Sequence, residues 1–272
     1  MNDNGYYLPA SAPELDEDHI WRWYGNVERE LRDLDLAHAE HASFHEYYRE
    51  AGLLTGWRRP FFRHHYAYPL HLALKQIFSN RGNVSVLDLG CGTGTQSILF
   101  ALAGARVVGV DMDEHALGIL RKRQVHYEIL SGRKLDITLV SGNVFELDLA
   151  AHGPFTALYS MFAFNMMQPT VKLIPRLAQY LSTDAVFAVQ DGNRIHLYNR
   201  FFRRRNVLSR DELARELRAV GFVEIEHVGG YAIPPPFWTV LPRALLTPLD
   251  RAFASLEPLT VSYLHLASRR RQ

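Results

Sequence analysis

The nine residues VLDLGCGTG, at 86–94, constrain this chain more than any other stretch of it. A short β-rich run ends in glycines at alternate positions, Gly90, Gly92 and Gly94, and TQSILFALAG follows with the texture of a helix. A buried strand that hands over to a helix through glycines is the opening unit of a parallel sheet. Glycines there permit backbone angles, and a close ligand approach, that a Cβ would block. The helix behind them presents unpaired N–H groups to a negative group.

The pattern then repeats. ARVVGVD (105–111) reads as a second strand, with DEHALGILRKRQ as a helix N-capped by Asp113. DITLVSGN, FTALYSMF and AVFAVQD read as strands three to five. A helix around PTVKLIPRLAQYL separates the last two, and Pro175 must kink or split it. After these come a helix starting at Ser209, a strand at VEIEHVGG and a final strand in PLTVSYLHLASR. Strands alternating with helices predict an α/β fold, a doubly wound, mainly parallel seven-stranded sheet of Rossmann-like type. Residues 83–272 would form that domain, with a helical insertion at 234–257. Residues 1–82 would form a separate N-terminal segment. From His19 to Phe78 its apolar residues recur at three and four, interrupted by Gly52, Gly56, Pro60 and Pro69. The first eighteen residues read as loosely ordered.

Composition narrows the function. A formal net charge of +1 provides no global field for nucleic acid. One cysteine, Cys91, excludes a disulfide framework and a Cys-rich zinc site, and no metal is expected. No secretory signal and no transmembrane run is visible, so a cytoplasmic protein is expected. The runs Arg203–Arg205 and Arg269–Arg271 read as solvated faces; the first, after Phe201-Phe202, also suits a membrane surface or an anionic acceptor.

What would the glycine loop hold? Asp111 ends the second strand seventeen residues after Gly94, where a carboxylate can grip two ribose hydroxyls. Asp88, two residues ahead of Gly90, would repel a pyrophosphate but suits a ligand bearing an ammonium group. The spacing is GxGxG rather than GxGxxG, and SGN at 141–143 stands where an adenine amino group can be read. These residues resemble the class I S-adenosylmethionine-dependent methyltransferases: VLDLGCGTG is similar to the family's first motif and GVDMDEHAL to its second. The resemblance is clear from Val84 to Phe162. It implies S-adenosylmethionine as cofactor and S-adenosylhomocysteine as product. Asp88 would then lie near the methionyl ammonium, and Gly90, Cys91, Gly92, Thr93 and Gly94 along the methionyl and ribose parts. Asp111 would hold the ribose and Met112 the adenine face. Asn143, where the family usually has an acid, can still accept from the adenine N6. Val144 and Ser160 complete the expected cofactor set.

The acceptor should meet the ends of strands four and five, where YSMFAFNMMQP is apolar apart from Ser160 and Asn165. Candidate proton acceptors are Asp191, His196 and His65, with His64 beside the last. Trp21, Trp23, Tyr47, Tyr48, Phe61 and Phe62 are candidates to line a pocket. The expected function is methyl transfer to a small, hydrophobic or aromatic acceptor at carbon, nitrogen or oxygen, with a homodimer left open. Residues 19–78 would be the acceptor lid. A non-methylating binder of the same cofactor, or a cyclase, is the alternative; an NAD(P)-dependent oxidoreductase fits Asp88 and the glycine spacing less well.

Overall fold

In a computed structural model of the chain, the described residues are 5–9, 15–34, 61, 63–79, 82–196, 208–233, 237–254 and 256–269. Seven strands form one sheet in the order β3-β2-β1-β4-β5-β7-β6. They are β1 (Ser85–Leu89), β2 (Arg106–Asp111), β3 (Ile137–Ser141), β4 (Phe155–Met161), β5 (Leu181–Gly192), β6 (Phe222–Gly229) and β7 (Ser262–Arg269). The helices are α1 (Glu17–Asp33), α2 (Tyr68–Ile77), α3 (Thr95–Leu102), α4 (Glu114–Ser131), α5 (Thr170–Ala178), α6 (Arg210–Ala219), α7 (Phe237–Val240) and α8 (Arg243–Ala254). The pairs β2–β3, β1–β4 and β4–β5 are parallel, while β7 runs antiparallel to both β5 and β6. All seven expected strands are present, and α5 continues through Pro175 for most of a further turn. The tracts 47–60, 197–207 and 270–272, with the aromatics, glycines and arginine runs expected there, lie outside the described residues, as do Phe62 and the Pro234–Pro236 turn.

The chain forms two compact units. One comprises 1–84 and 91–143, the other 85–90 and 144–272. In the first, α4 starts at an Asp113 cap that accepts from His115 N and Ala116 N, and stops at Gly132 in the left-handed region. It runs a full two turns past the expected helix, because nothing after Gln124 breaks the pattern until that glycine. Tyr6 and Tyr7 are anchored rather than loose. Tyr6 is buried and its hydroxyl donates to Asp33 at 2.8 Å. Asn26 grips the backbone of Tyr7 twice, accepting from its N–H at 2.9 Å and donating to its carbonyl at 2.8 Å. Charged and polar residues outnumber apolar ones in this stretch, so its hydropathy hides the one tyrosine that anchors it.

The centre of this unit holds a fully buried ion pair. Arg123 donates through Nε to Glu30 Oε2 at 2.5 Å and through Nη2 to Glu30 Oε1 at 3.2 Å; Tyr127 donates its hydroxyl to the same carboxylate at 2.6 Å. Burial against that carboxylate pushes the Tyr127 phenol well above its ordinary range. The second Arg123 arm, Nη1, donates to the Thr93 carbonyl at 2.5 Å and to Thr95 Oγ1 at 2.9 Å. Removing one partner of such a pair leaves the other charge buried and uncompensated. Glu30→Ala should therefore cost about 3–5 kcal/mol, by stranding a buried guanidinium. Urea unfolding is the check: the joint replacement Glu30→Leu with Arg123→Met should recover much of that loss.

Candidate active site

Of the residues expected to hold the adenosyl half, Asp111, Met112 and Asn143 lie in the first unit and Val144 in the second. Asp111 ends β2 and is the register partner of Ser141 at the end of β3, so the turn at Gly142 and Asn143 lies beside it. Gly142 N donates to the Asp111 carbonyl at 3.0 Å and fixes that turn. The Asp111 carboxylate accepts from Gly92 N through Oδ2 at 2.7 Å and from Asp113 N through Oδ1 at 2.9 Å. A carboxylate offers about four acceptor positions, so these two bonds leave room for further donors. Met112, next along, is 72% exposed and presents an unburied thioether that suits a flat base. Asn143 is half-buried and Val144 buried.

The glycine loop is gripped from two directions, its Gly92 N–H by Asp111 and its Thr93 carbonyl by Arg123. All three glycines take positive φ, at 68°, 52° and 80°. They serve different ends, which spacing alone does not distinguish. A Cβ on Gly90 would stand 2.3 Å from Ala163 Cβ, and one on Gly94 would stand 2.2 Å from Leu120 Cγ. A Cβ on Gly92 would meet nothing within 4 Å. The first and third glycines are thus packing positions, and the open one alone faces space a ligand can take. The Cys91 side chain packs with Leu117 and Leu120 in the core.

In the second unit, Asp88 is buried near the end of β1. Ser160 is fully buried, and its hydroxyl donates to the Leu89 carbonyl at 2.9 Å, tying β4 to β1. After β4 the chain turns through Phe162, whose φ of 56° is unusual for a residue with a side chain. Asp191 fastens the next residues. Its Oδ2 accepts from Asn165 N at 2.7 Å and its Oδ1 from Gly192 N at 2.7 Å, so the carboxylate expected as a base holds a chain turn. His65, in the first unit, is buried and stacked on Phe61 at 5.5 Å with Tyr66 edge-on at 5.2 Å, an aromatic packing position.

His196 is placed differently. It borders a cavity of about 540 Å³ with Ile233, Phe237, Leu246, Leu249 and Phe253, within the size range of small-molecule sites. Burial lowers the pKa of its imidazole below the ordinary histidine value. The cavity wall is α7 and α8, held to the 231–233 turn by buried Asp250, whose Oδ1 accepts from Ala232 N at 2.9 Å and Ile233 N at 2.7 Å. The insertion was legible as an amphipathic helix; its cavity depended on Asp250, which reads in sequence as a solvated charge.

Residues 86–184 match the family model described as a methyltransferase domain. Over that segment the chain is similar to a methyltransferase domain. Over short stretches the chain is 44% identical to the cypemycin N-terminal methyltransferase of a Streptomyces species, covering 21% of this chain and 24% of that protein. It is 41% identical to the ubiquinone biosynthesis O-methyltransferase of Aromatoleum aromaticum, covering 28% and 34%. The chain thus spans about a quarter to a third of the length of these two curated relatives. An S-adenosylmethionine-dependent methyltransferase structure from Mesorhizobium loti aligns with a TM-score of 0.53 at 19% identity, over 74% of this chain and 98% of that one; at that identity the likeness is one of fold. Among the described residues no helix is long and apolar enough to cross a membrane.

The three glycines of this loop should separate in stability. Gly92→Ala pays only for left-handed backbone, about 1–2 kcal/mol. Gly90→Ala and Gly94→Ala add overlap with a packed neighbour, roughly 1–3 kcal/mol more. Denaturant midpoints of the three variants measure the difference, and equal values would mean that the loop packs otherwise.

Proposed function

We propose that this protein transfers the methyl group of S-adenosylmethionine to a small, largely apolar acceptor bearing an O–H or N–H group. The observation that carries the cofactor half is Asp111, a strand-end carboxylate that holds Gly92 and keeps acceptor positions for a ribose. Asp88, the Gly90–Gly94 loop, Met112, Asn143 and Val144 would complete the cofactor's surroundings. The buried hydroxyl of Ser160 would act through the sheet. The bound cofactor supplies a sulfonium methyl, and the chain's part is alignment and exclusion of water.

The cavity bordered by His196 supports an apolar acceptor. A neutral imidazole there would take the proton that the acceptor loses. One relative's name specifies O-methylation, which releases a proton. Residues 19–78 would serve as the lid over the cofactor loop. Support comes from α1, where Trp23 Nε1 donates to the Thr95 carbonyl at 3.1 Å and Tyr24 OH accepts from Gln96 Nε2 at 3.1 Å, beside the loop's exit.

Release of S-adenosylhomocysteine with a panel of small phenols and aromatic amines tests the reading. Leu249→Trp, which fills the cavity, should lower turnover at least roughly tenfold and leave cofactor affinity unchanged. Gly92→Val should do the reverse and abolish cofactor binding in a folded protein. The pH profile carries the sign of the histidine. Because burial lowers its pKa, the acid limb of kcat/KM should lie at lower pH than an ordinary histidine would give. His196→Gln should remove that acid limb. Bound cofactor with no product from any acceptor would favour a non-methylating role.

A further inference from the structure

The β6–β7 edge of the sheet carries a second cluster of chemistry-bearing side chains, unconnected with the methyl-transfer reading. His227 and His265 are register partners across these two antiparallel strands. Glu224 lies three residues before His227, a spacing that in a regular strand would put the two on opposite faces. The register slips between Glu224 and Glu226, so that Glu224 opposes Ala267 while His227 opposes His265. That bulge brings Glu224 onto the face shared by His227 and His265, and bulges commonly re-aim side chains next to functional sites.

The three polar atoms converge. His227 Nδ1 and His265 Nδ1 are 3.4 Å apart, and His265 Nδ1 is 3.5 Å from Glu224 Oε2. Ordinary N–H···N or N–H···O bonds are shorter than this, at about 2.7–3.2 Å. Tetrahedral ligands at about 2.0–2.1 Å from a metal stand roughly 3.3–3.4 Å from one another, which these separations match. All three ligand atoms fall within 4.8 Å of one another. We infer that Glu224, His227 and His265 bind a divalent transition metal of the zinc class, joining the edge strand β6 to β7.

The surroundings fit a positioned ligand set. Arg210 donates through Nη2 to Glu224 Oε1 at 2.5 Å and through Nε to Oε2 at 3.3 Å, which orients the carboxylate with Oε2 toward the histidines. Groups that fix a ligating carboxylate are a regular part of metal sites. The His227 ring is stacked on Tyr263 at 5.3 Å, and His265 is fully buried. Both rings are therefore fixed before any cation arrives. Two imidazoles and one carboxylate suit zinc, and leave a fourth position for a small ligand. With His265 inaccessible, the role this arrangement supports is structural.

The test uses tag-free, chelator-treated full-length protein titrated with Zn²⁺ by calorimetry, and with Co²⁺ by visible absorption. The expected result is one saturable site, a tetrahedral Co²⁺ spectrum and a higher unfolding temperature with metal. His227→Asn and Glu224→Gln should each weaken the site at least roughly tenfold. Wild-type protein with no saturable site, or variants that bind as tightly as wild type, would overturn the inference. Non-tetrahedral Co²⁺, or metal that leaves the unfolding temperature unchanged, would count against it too. Should His265→Gln fail to fold, the half-buried His227 decides alone. Cofactor affinity and methyl transfer do not enter these readouts, so the inference stands or falls apart from the proposed activity.

Discussion

The hydrogen bond from Gly92 N to Asp111 Oδ2, 2.7 Å long, is the contact on which the cofactor loop depends. One carboxylate closes the turn after β1, receives Asp113 N at the head of α4, and lies where the β3 turn returns through Gly142. A charged acceptor makes such bonds stronger than neutral ones. Without it, a loop of three positive-φ residues would have little to choose one conformation over its neighbours. Arg123 secures the opposite side by its bond to the Thr93 carbonyl, and is itself held in place by Glu30 from α1.

This arrangement gives the N-terminal helix a physical reason to exist in the fold. The ion pair transmits the position of α1 to the glycine loop through a single guanidinium. Burying a charge so completely is costly, and it is tolerated because four acceptor contacts and the Tyr127 hydroxyl saturate the pair. The same helix meets the first turn of α3 through Trp23. A lid built on these contacts would be coupled to the cofactor loop rather than merely adjacent to it.

The sheet was legible because most of its strands carry apolar runs, several of them ended by glycine or an acid. Asp113 and Ser209 announce their helices by residue type alone, and both cap as expected. The glycine loop was legible as a loop, though not as one open position between two packed ones, since Ala163 and Leu120 approach from far along the chain. Asp191 reads as a candidate catalytic carboxylate, and its bond from Asn165 N was not legible, because a strand-end acid looks alike whatever it holds. Arg123 and Glu30 sit in charged runs that read as solvated helix faces; only tertiary packing buries them. The bulge beside Glu224 escapes alternation patterns for a related reason, as it shifts the phase of one strand against its partner without any marker residue.

The central claim is that Asp111 both shapes the loop and receives the ribose of S-adenosylmethionine. Calorimetric titration of wild type and Asp111→Asn with S-adenosylhomocysteine and with NADH tests it most directly. The account predicts one site for S-adenosylhomocysteine in the wild type and none for NADH. It also predicts at least a tenfold loss of affinity in the folded variant, as expected for charge-assisted bonds of about 1.5–3 kcal/mol. Equal affinity in the two proteins, or a preference for the dinucleotide, would contradict it.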